Sequence, residues 1–421
     1  MPAAPGYRSF TSRDNRRTDL IMSHALMTFL GRTERDVGGY PKAHYRFPDD
    51  SEHVAAFVGF PLAEWLEVDR LIILGTAGSM WDELLEADLS LAGYDDERLA
   101  LVDAVDQECV EQPLLDQLAP ALGASLGRAV QLRLIPAALA EEEQVTLLSV
   151  VADATQGVEA LSIDVTHGYR HLPMLALTAA LYLRGLRPGL QLRGLWYAAY
   201  APNTGRAQLS NLAGLLQINE WIDAWQRLDW LGDYGAISPL MEPHDEELAD
   251  GLRRAAFLEN THQGQHARTL LRATRQRLEQ RPLTGAGALY QPELEVRTRW
   301  VESQRLYQRQ RDHARAALER DDFLRSSLYG FEAFITKLAQ REAPAGQEND
   351  RHIRKGAKDR FEAERPSHQW RSYRLLRDLR NVLAHGNKAD TSDVQKALHS
   401  PERLRVEIRT ALDALLPTEE P

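Results

Sequence analysis

Two short segments about 200 residues apart combine residue types that act on phosphate esters. In Asp164-Val-Thr-His-Gly168, three polar side chains follow directly on an apolar run. In Arg380-Asn-Val-Leu-Ala-His385, a permanent cation precedes an imidazole by five residues. Cutting RNA without a metal requires that a 2′-hydroxyl lose its proton, the leaving 5′-oxygen gain one, and the anionic phosphorane be stabilised. Histidine exchanges protons near neutral pH. Arginine stays charged and grips phosphate oxygens in a fork. Five residues along an ideal helix are about 140° apart, so Arg380 and His385 of one copy converge poorly. Two copies across a two-fold axis can build a composite site, which predicts a homodimer or a higher oligomer made from it. With 13 His in the chain, roughly one Arg-x4-His pair is expected by chance on background frequencies. The setting adds the weight: the pair ends the amphipathic run Tyr373–Arg380, and Gly386 follows as a predicted helix stop.

The elements that would position the first segment are legible as alternating apolar runs and amphipathic stretches. Ala25–Leu30, Arg70–Thr76, Val130–Ile135, Leu161–Val165 and Leu190–Tyr197 read as strands. Between them, Glu141–Ala154 and Leu172–Arg184 read as helices. Strand, loop and helix repeated in this way predict an α/β domain, a mainly parallel sheet with helices on both faces. Such sheets bind ligands beyond the carboxyl ends of their strands. Three of those ends carry suitable residues: Gly31-Arg32-Thr33, Gly75-Thr76-Ala77-Gly78-Ser79, and Asp164 to Gly168. Glycine lets a backbone approach a phosphate, free N–H groups at a helix start face it, and hydroxyls and His167 can donate to phosphate or ribose. A plain turn explains Gly31 or Gly75 taken singly, and Asp164 could serve only to cap the following helix. None of the loops is a Walker A sequence or GxGxxG, so neither an NTPase nor a dinucleotide oxidoreductase is expected.

At 421 residues, 43% hydrophobic and 26% charged, the chain is long enough for two globular domains. No apolar run reaches a membrane span. Met1–Arg8 lacks the apolar stretch of a signal peptide, so residues 1–21 read as a flexible arm and the protein as cytoplasmic. The one cysteine, Cys109, leaves no intrachain disulfide or cysteine zinc cluster. A net charge of −11 argues against broad, non-specific nucleic-acid binding. Between Arg341 and His385, however, 11 Lys/Arg stand against 7 Asp/Glu. That segment is either a solvated surface or a local RNA-binding one.

Beyond about Pro243 no strand is expected. Leu252–Leu278, Pro292–Leu318, Asp322–Ala339, Ser372–Leu383 and Pro401–Leu416 read as helices, and Glu342–His368 as a long polar loop. Ile218–Leu231, with Trp221, Trp225 and Trp230, reads as a packed helix whose tryptophans anchor a core. His262 and His266 have the helical i, i+4 spacing of zinc ligands, yet no catalytic Glu or third ligand accompanies them, so no metal is expected. No GxSxG elbow occurs to support serine hydrolysis.

The chain resembles the CRISPR-associated CARF–HEPN proteins of type III systems, in the subgroup with a DxTHG motif. Thr28-Phe-Leu-Gly31 with Tyr45-Arg-Phe47, Leu74-Gly-Thr76, Asp164-Val-Thr-His-Gly-Tyr-Arg-His-Leu-Pro173 and Tyr197-Ala-Ala-Tyr200 are similar to successive CARF segments, and Leu379-Arg-Asn-Val-Leu-Ala-His-Gly386 to the HEPN ribonuclease motif. The resemblance implies a Rossmann-like CARF domain over 22–240 and an all-α HEPN domain over 241–421. It implies a cyclic oligoadenylate as allosteric activator, four adenylates being the family's commonest ring, and no other cofactor. It further implies metal-independent cleavage of single-stranded RNA by a homodimer, without membrane attachment. The messenger contacts expected from strand ends and signature segment together are Gly31, Arg32, Thr33, Thr76, Ala77, Gly78, Ser79, Asp164, Thr166, His167, Gly168 and Arg170. By the resemblance, Arg380 stabilises the phosphorane, His385 transfers protons and Asn381 orients or supports them. Many relatives have Gly-Thr-Gly where this chain has Gly31-Arg-Thr33, so Arg32 either adds a phosphate contact or closes the pocket. The alternative is a non-catalytic sensor or adaptor whose HEPN domain only dimerises.

Overall fold

The computed structural model describes residues 23–418 apart from 36, 38, 87–92 and 345. The arm expected over 1–21 lies outside the described residues. Two compact units divide at Leu216 and Gln217.

The first unit holds strands β1 (His24–Leu30), β2 (Ala43–Arg46), β3 (Glu52–Ala55), β4 (Arg70–Gly75), β5 (Ala129–Leu134), β6 (Ala160–Asp164), β7 (Gln191–Ala201) and β8 (Arg206–Asn211). Its helices are α1 (Gly59–Trp65), α2 (Glu83–Glu86), α3 (Asp95–Asp106), α4 (Gln112–Leu126), α5 (Glu141–Ala154) and α6 (Leu172–Leu186). The strands form one sheet in the order β3-β2-β8-β7-β6-β1-β4-β5. It is mainly parallel, as the alternating pattern predicts; only the β2/β3 and β7/β8 pairs are antiparallel. β1 is buried along its whole length because helices cover both sides of it. Leu26 and Leu30 pack with Leu115, Leu118 and Leu122 of α4. Ala25, Met27 and Phe29 pack with α5 and α6 on the opposite side. In α6 the buried residues Leu172, Ala176, Ala179, Ala180 and Leu183 recur at helical spacing.

The expected strands are all present, and β2, β3 and β8 add to them. β2 and β3 are four residues long, and β2 and β8 both alternate buried with exposed residues, so no apolar run marks them. After Ser79 the described residues include the helical segment α2.

α7 (Ala213–Leu231) crosses the division. The second unit continues with α8 (Ser238–Met241), α9 (Glu246–Asn260), α10 (Gly264–Gln280), α11 (Gly287–Arg297), α12 (Leu306–Glu319), α13 (Phe323–Gln340), α14 (Arg351–Glu364), α15 (Ser367–His385), α16 (Ser392–Ala397) and α17 (Pro401–Leu415). No strand occurs among its described residues. One core gathers Trp221, Leu228, Leu252, Leu271 and Leu294. A second gathers Phe331, Phe334, Tyr373, Leu376, Leu379, Ile408 and Leu412 from α13, α15 and α17. Because Trp221, Ala224 and Leu228 of α7 join the first of these cores, the division precedes the boundary near residue 240 expected from the sequence.

Four other expectations are corrected here. The run Leu252–Leu278 is two helices, broken at Thr261–Gln263, where His262 takes a left-handed φ of 58°. Pro292–Leu318 divides into α11, a 3-10 turn over Arg299–Glu302, and α12. Much of the expected loop Glu342–His368 is α14, capped by Asp350, whose carboxylate accepts from the His352 and Ile353 N–H groups. Its only buried residues are Ala357 and Phe361, too few to mark an apolar face in the sequence. Trp230 is 69% exposed and anchors no core. No helix among the described residues is long and apolar enough to cross a membrane.

Candidate functional site

The strand order sets β1 between β6 and β4, all three parallel. Leu30 pairs with Gly75 and Thr28 with Asp164, so the three expected loops leave the same edge of the sheet side by side. After β1 the chain visits β2 and β3 at the far edge of the sheet, then adds β4 and β5 on one side of β1 and β6 on the other, which makes this edge the topological switch point where such sheets bind ligands.

The loops are drawn together by backbone. A Cβ on Gly31 would lie 2.8 Å from the Gly168 nitrogen, so only glycine permits this approach. Gly168 has a φ of 99°, a conformation that L side chains rarely adopt. The Met80 N–H donates to the Gly31 carbonyl at 2.9 Å, tying the second loop to the first. Ser79 is buried, and its hydroxyl donates to the Leu30 carbonyl at 2.8 Å and accepts from the Thr76 N–H at 2.9 Å. Ser79 therefore works beneath the loops, while Thr76, Ala77 and Gly78 form their rim.

Asp164 is wholly buried. One of its oxygens accepts from the Thr28 hydroxyl at 2.7 Å and the other from the Thr166 N–H and hydroxyl, at 3.1 and 2.5 Å. It does not cap the next helix, since α6 begins at Leu172 after His171. Asp164 instead locks the turn that carries His167 and Gly168. Thr166 is fixed from the other side, where its hydroxyl accepts from the Ala198 N–H of β7 at 3.0 Å.

His167 is held against β2. Its Nε2 accepts from the Val58 N–H at 3.3 Å and lies 3.5 Å from the Tyr45 hydroxyl. An accepting Nε2 puts the ring proton on Nδ1. Burial lowers the pKa of the imidazole against the opposing pull of Asp164. The same burial raises that of the Asp164 carboxyl, offset chiefly by His167 and the Thr166 hydrogen bond.

The expected cations lie further out. Arg170 is exposed, next to Tyr169, whose ring stacks on His171 with centroids 5.7 Å apart. Arg32 pairs with Glu108 beside Gly78, both side chains more than half exposed. Thr33 is exposed nearby. Thr28, Tyr45, Val58 and Glu108 shape this edge but are missing from the contacts expected from sequence. Their partners are distant in the chain, so no local pattern shows these contacts, although Thr28 and Tyr45 fall in segments that carry the resemblance.

The second candidate set lies on α15. Gly386 ends this helix in a left-handed conformation (φ 64°), as expected, and its N–H donates to the Val382 carbonyl. Tyr373, Leu376 and Leu379 bury the inner face. Arg380 stands at the edge of that face. Its guanidinium donates to Asn381 Oδ1 at 2.9 Å, lies over the Phe331 ring at 4.5 Å, and reaches Glu332 of α13 at 3.6 Å. His385 is exposed in the last turn. Asn381 thus orients the Arg380 fork. His262 and His266 do not share a helix, since His262 lies in the break before α10.

Residues 25–188 match the family described as "CRISPR system endoribonuclease Csx1, CARF domain". The chain is also 26% identical over 249 residues to "CRISPR-associated protein MJ1674" of Methanocaldococcus jannaschii. That alignment covers 53% of this chain and 39% of the archaeal protein, so the chain spans well under half of that relative's length. The match begins in β1 and runs just past α6, taking in all three strand-end loops. Over these residues the chain is similar to the CARF domain of CRISPR-associated proteins.

Proposed function

We propose that the chain is a cyclic-oligoadenylate-activated, metal-independent endoribonuclease of type III CRISPR defence that cleaves single-stranded RNA as a homodimer. The first unit is the sensor and the helical second unit the HEPN nuclease. The observation that carries the sensing half is the contact of Gly31 with Gly168 at the switch point of the sheet. It leaves a floor of backbone against which a ring of phosphates can lie, with Thr76, Thr166 and His167 at hand and the Arg32 and Arg170 cations at the margin.

The cutting half rests on the α15 set. Arg380, oriented by Asn381 and by the Phe331 ring, presents its fork to the scissile phosphate. A 2′-oxygen bonds to the adjacent phosphorus while the bond to the 5′-oxygen breaks, leaving a cyclic phosphate and a 5′-hydroxyl. His385 takes the 2′ proton or supplies the 5′ one, and its counterpart in the second copy takes the complementary role. The messenger raises the rate only through its higher affinity for the active conformer.

The test is cleavage of a labelled single-stranded RNA in EDTA, with cyclic tetra- or hexa-adenylate added or withheld. Cutting that depends on one ring and is lost in His385→Ala is the expected result. A bound ring with no cutting would leave a sensor or adaptor.

A further inference from the structure

The second unit contains a cavity of about 530 Å³ that neither candidate set includes. It falls within the range of small-molecule sites, about 300–1,000 Å³. Its wall is aromatic: His313 lies between Trp300, with ring centroids 4.2 Å apart, and Tyr329, at 5.1 Å and nearly parallel. Three buried polar atoms of the lining, Trp300 Nε1, Gln310 Oε1 and His313 Nε2, have no hydrogen-bond partner among the described residues. Such atoms are costly to leave unpaired. Burial, aided by Arg320 and His262, pushes the His313 imidazole down to about 3, so its ring is neutral. A neutral ring and an amide, both short of a partner beside a stack of rings, suit the edge and face of a nucleobase.

The cavity also touches the proposed nuclease set. Glu332 lines it, pairs with the cavity residue Arg354, and reaches Arg380 on its other oxygen. His262 and His266 line the same cavity, and the left-handed backbone at His262 belongs to the break that brings them there.

We propose that this cavity takes one unstacked nucleobase of the RNA substrate, with the neighbouring phosphate drawn toward Arg354. The inference rests on the reading of the chain as a ribonuclease. It makes the cavity a determinant of which nucleotide lies near the cut, acting on Arg380 through Glu332.

Two measurements test it. The first is titration of the whole protein with adenosine and uridine 5′-monophosphates, read by tryptophan fluorescence, beside Trp300→Phe. Saturable quenching by at least one of them, lost in the variant, is expected; no saturation by either overturns the proposal. The second compares activated cleavage of a randomised RNA by wild type and Gln310→Leu, whose thermal unfolding verifies the fold. The expected result is a rise in KM of about tenfold, the scale of one lost hydrogen bond to the base edge, with kcat little changed and base preference at one position flattened. If RNA is cut and Gln310→Leu keeps both KM and preference, the cavity proposal falls and the ribonuclease reading stands. If nucleotides quench Trp300 but no RNA is cut, the ribonuclease reading falls while the cavity remains a nucleotide site.

Discussion

The strand-end cluster and the end of α15 reach their chemistry by opposite routes. In the first, backbone does the work. Gly31 and Gly168 touch, and Ser79, Thr166 and Asp164 use their polar atoms on the loops themselves. In the second, side chains are displayed. Arg380 is held by Asn381, Glu332 and Phe331, and His385 projects from a helix end. A site made of backbone should be broken by adding a single methyl group. A site made of displayed side chains should lose its chemistry and keep its fold.

The sharpest separation comes from His385→Ala. Loss of a proton-transfer group commonly costs about 10²–10⁴-fold in rate, so activated RNA cleavage should fall by that factor. Its melting temperature and its affinity for the cyclic oligoadenylate should match wild type; a parallel loss of ligand binding would erase the distinction. Gly31→Ala should do the reverse. Its Cβ meets backbone at 2.8 Å, and overpacking of this kind costs about 1–3 kcal/mol. If that cost falls on the closed loops, messenger affinity should drop by about 5- to 150-fold. Calorimetric titration with the cyclic ligand checks it, and unchanged affinity would show that the loops are not closed as described.

A smaller effect concerns pH. The folded His167 has its pKa lowered by burial. As pH falls below the unfolded value of about 6.5, the unfolded chain gains a proton that the folded ring declines, and stability is lost. The loss reaches at most about 1.4 kcal/mol per pH unit. Because His24 is lowered in the same direction, the test is the difference between wild type and His167→Gln in denaturant midpoints just below pH 6.5. Equal slopes would refute the buried, neutral ring. The smallest effect belongs to the exposed Arg32–Glu108 pair. Exposed pairs are worth about 0–1 kcal/mol, so Glu108→Gln should barely alter stability. It frees Arg32, however, and should tighten messenger binding several-fold, whereas Arg32→Ala should weaken it. The opposite pattern would mean that Arg32 blocks the pocket.

The same contrast explains what could be read from the chain. β1, β4, β5, β6 and β7 announce themselves because buried parallel strands need unbroken or alternating apolar runs. Half-exposed β2 and β8 do not. The helix break at His262 was invisible because no Gly or Pro stands at its left-handed residue. α14 has the pattern of a loop in the sequence because it buries only two side chains. Arg380, Asn381 and His385 were legible because they sit within six consecutive residues. The strand-end residues were legible one loop at a time, but not the contacts of Thr28 with Asp164 or of Val58 with His167, which span 136 and 109 positions. Local pattern has no access to such pairs.

The position of β1 has one more consequence, for the order in which the protein comes into being. This strand is made first among those of the sheet, yet its two neighbours are β4 and β6, and the second ends at Asp164. Closure of the Gly31 and Gly168 loops waits further still, for Ala198 of β7 to grip Thr166. Pairings this distant in sequence form slowly, and on the ribosome they cannot form until the later strand has emerged. In a nascent chain these loops therefore stay open until residue 198 has emerged.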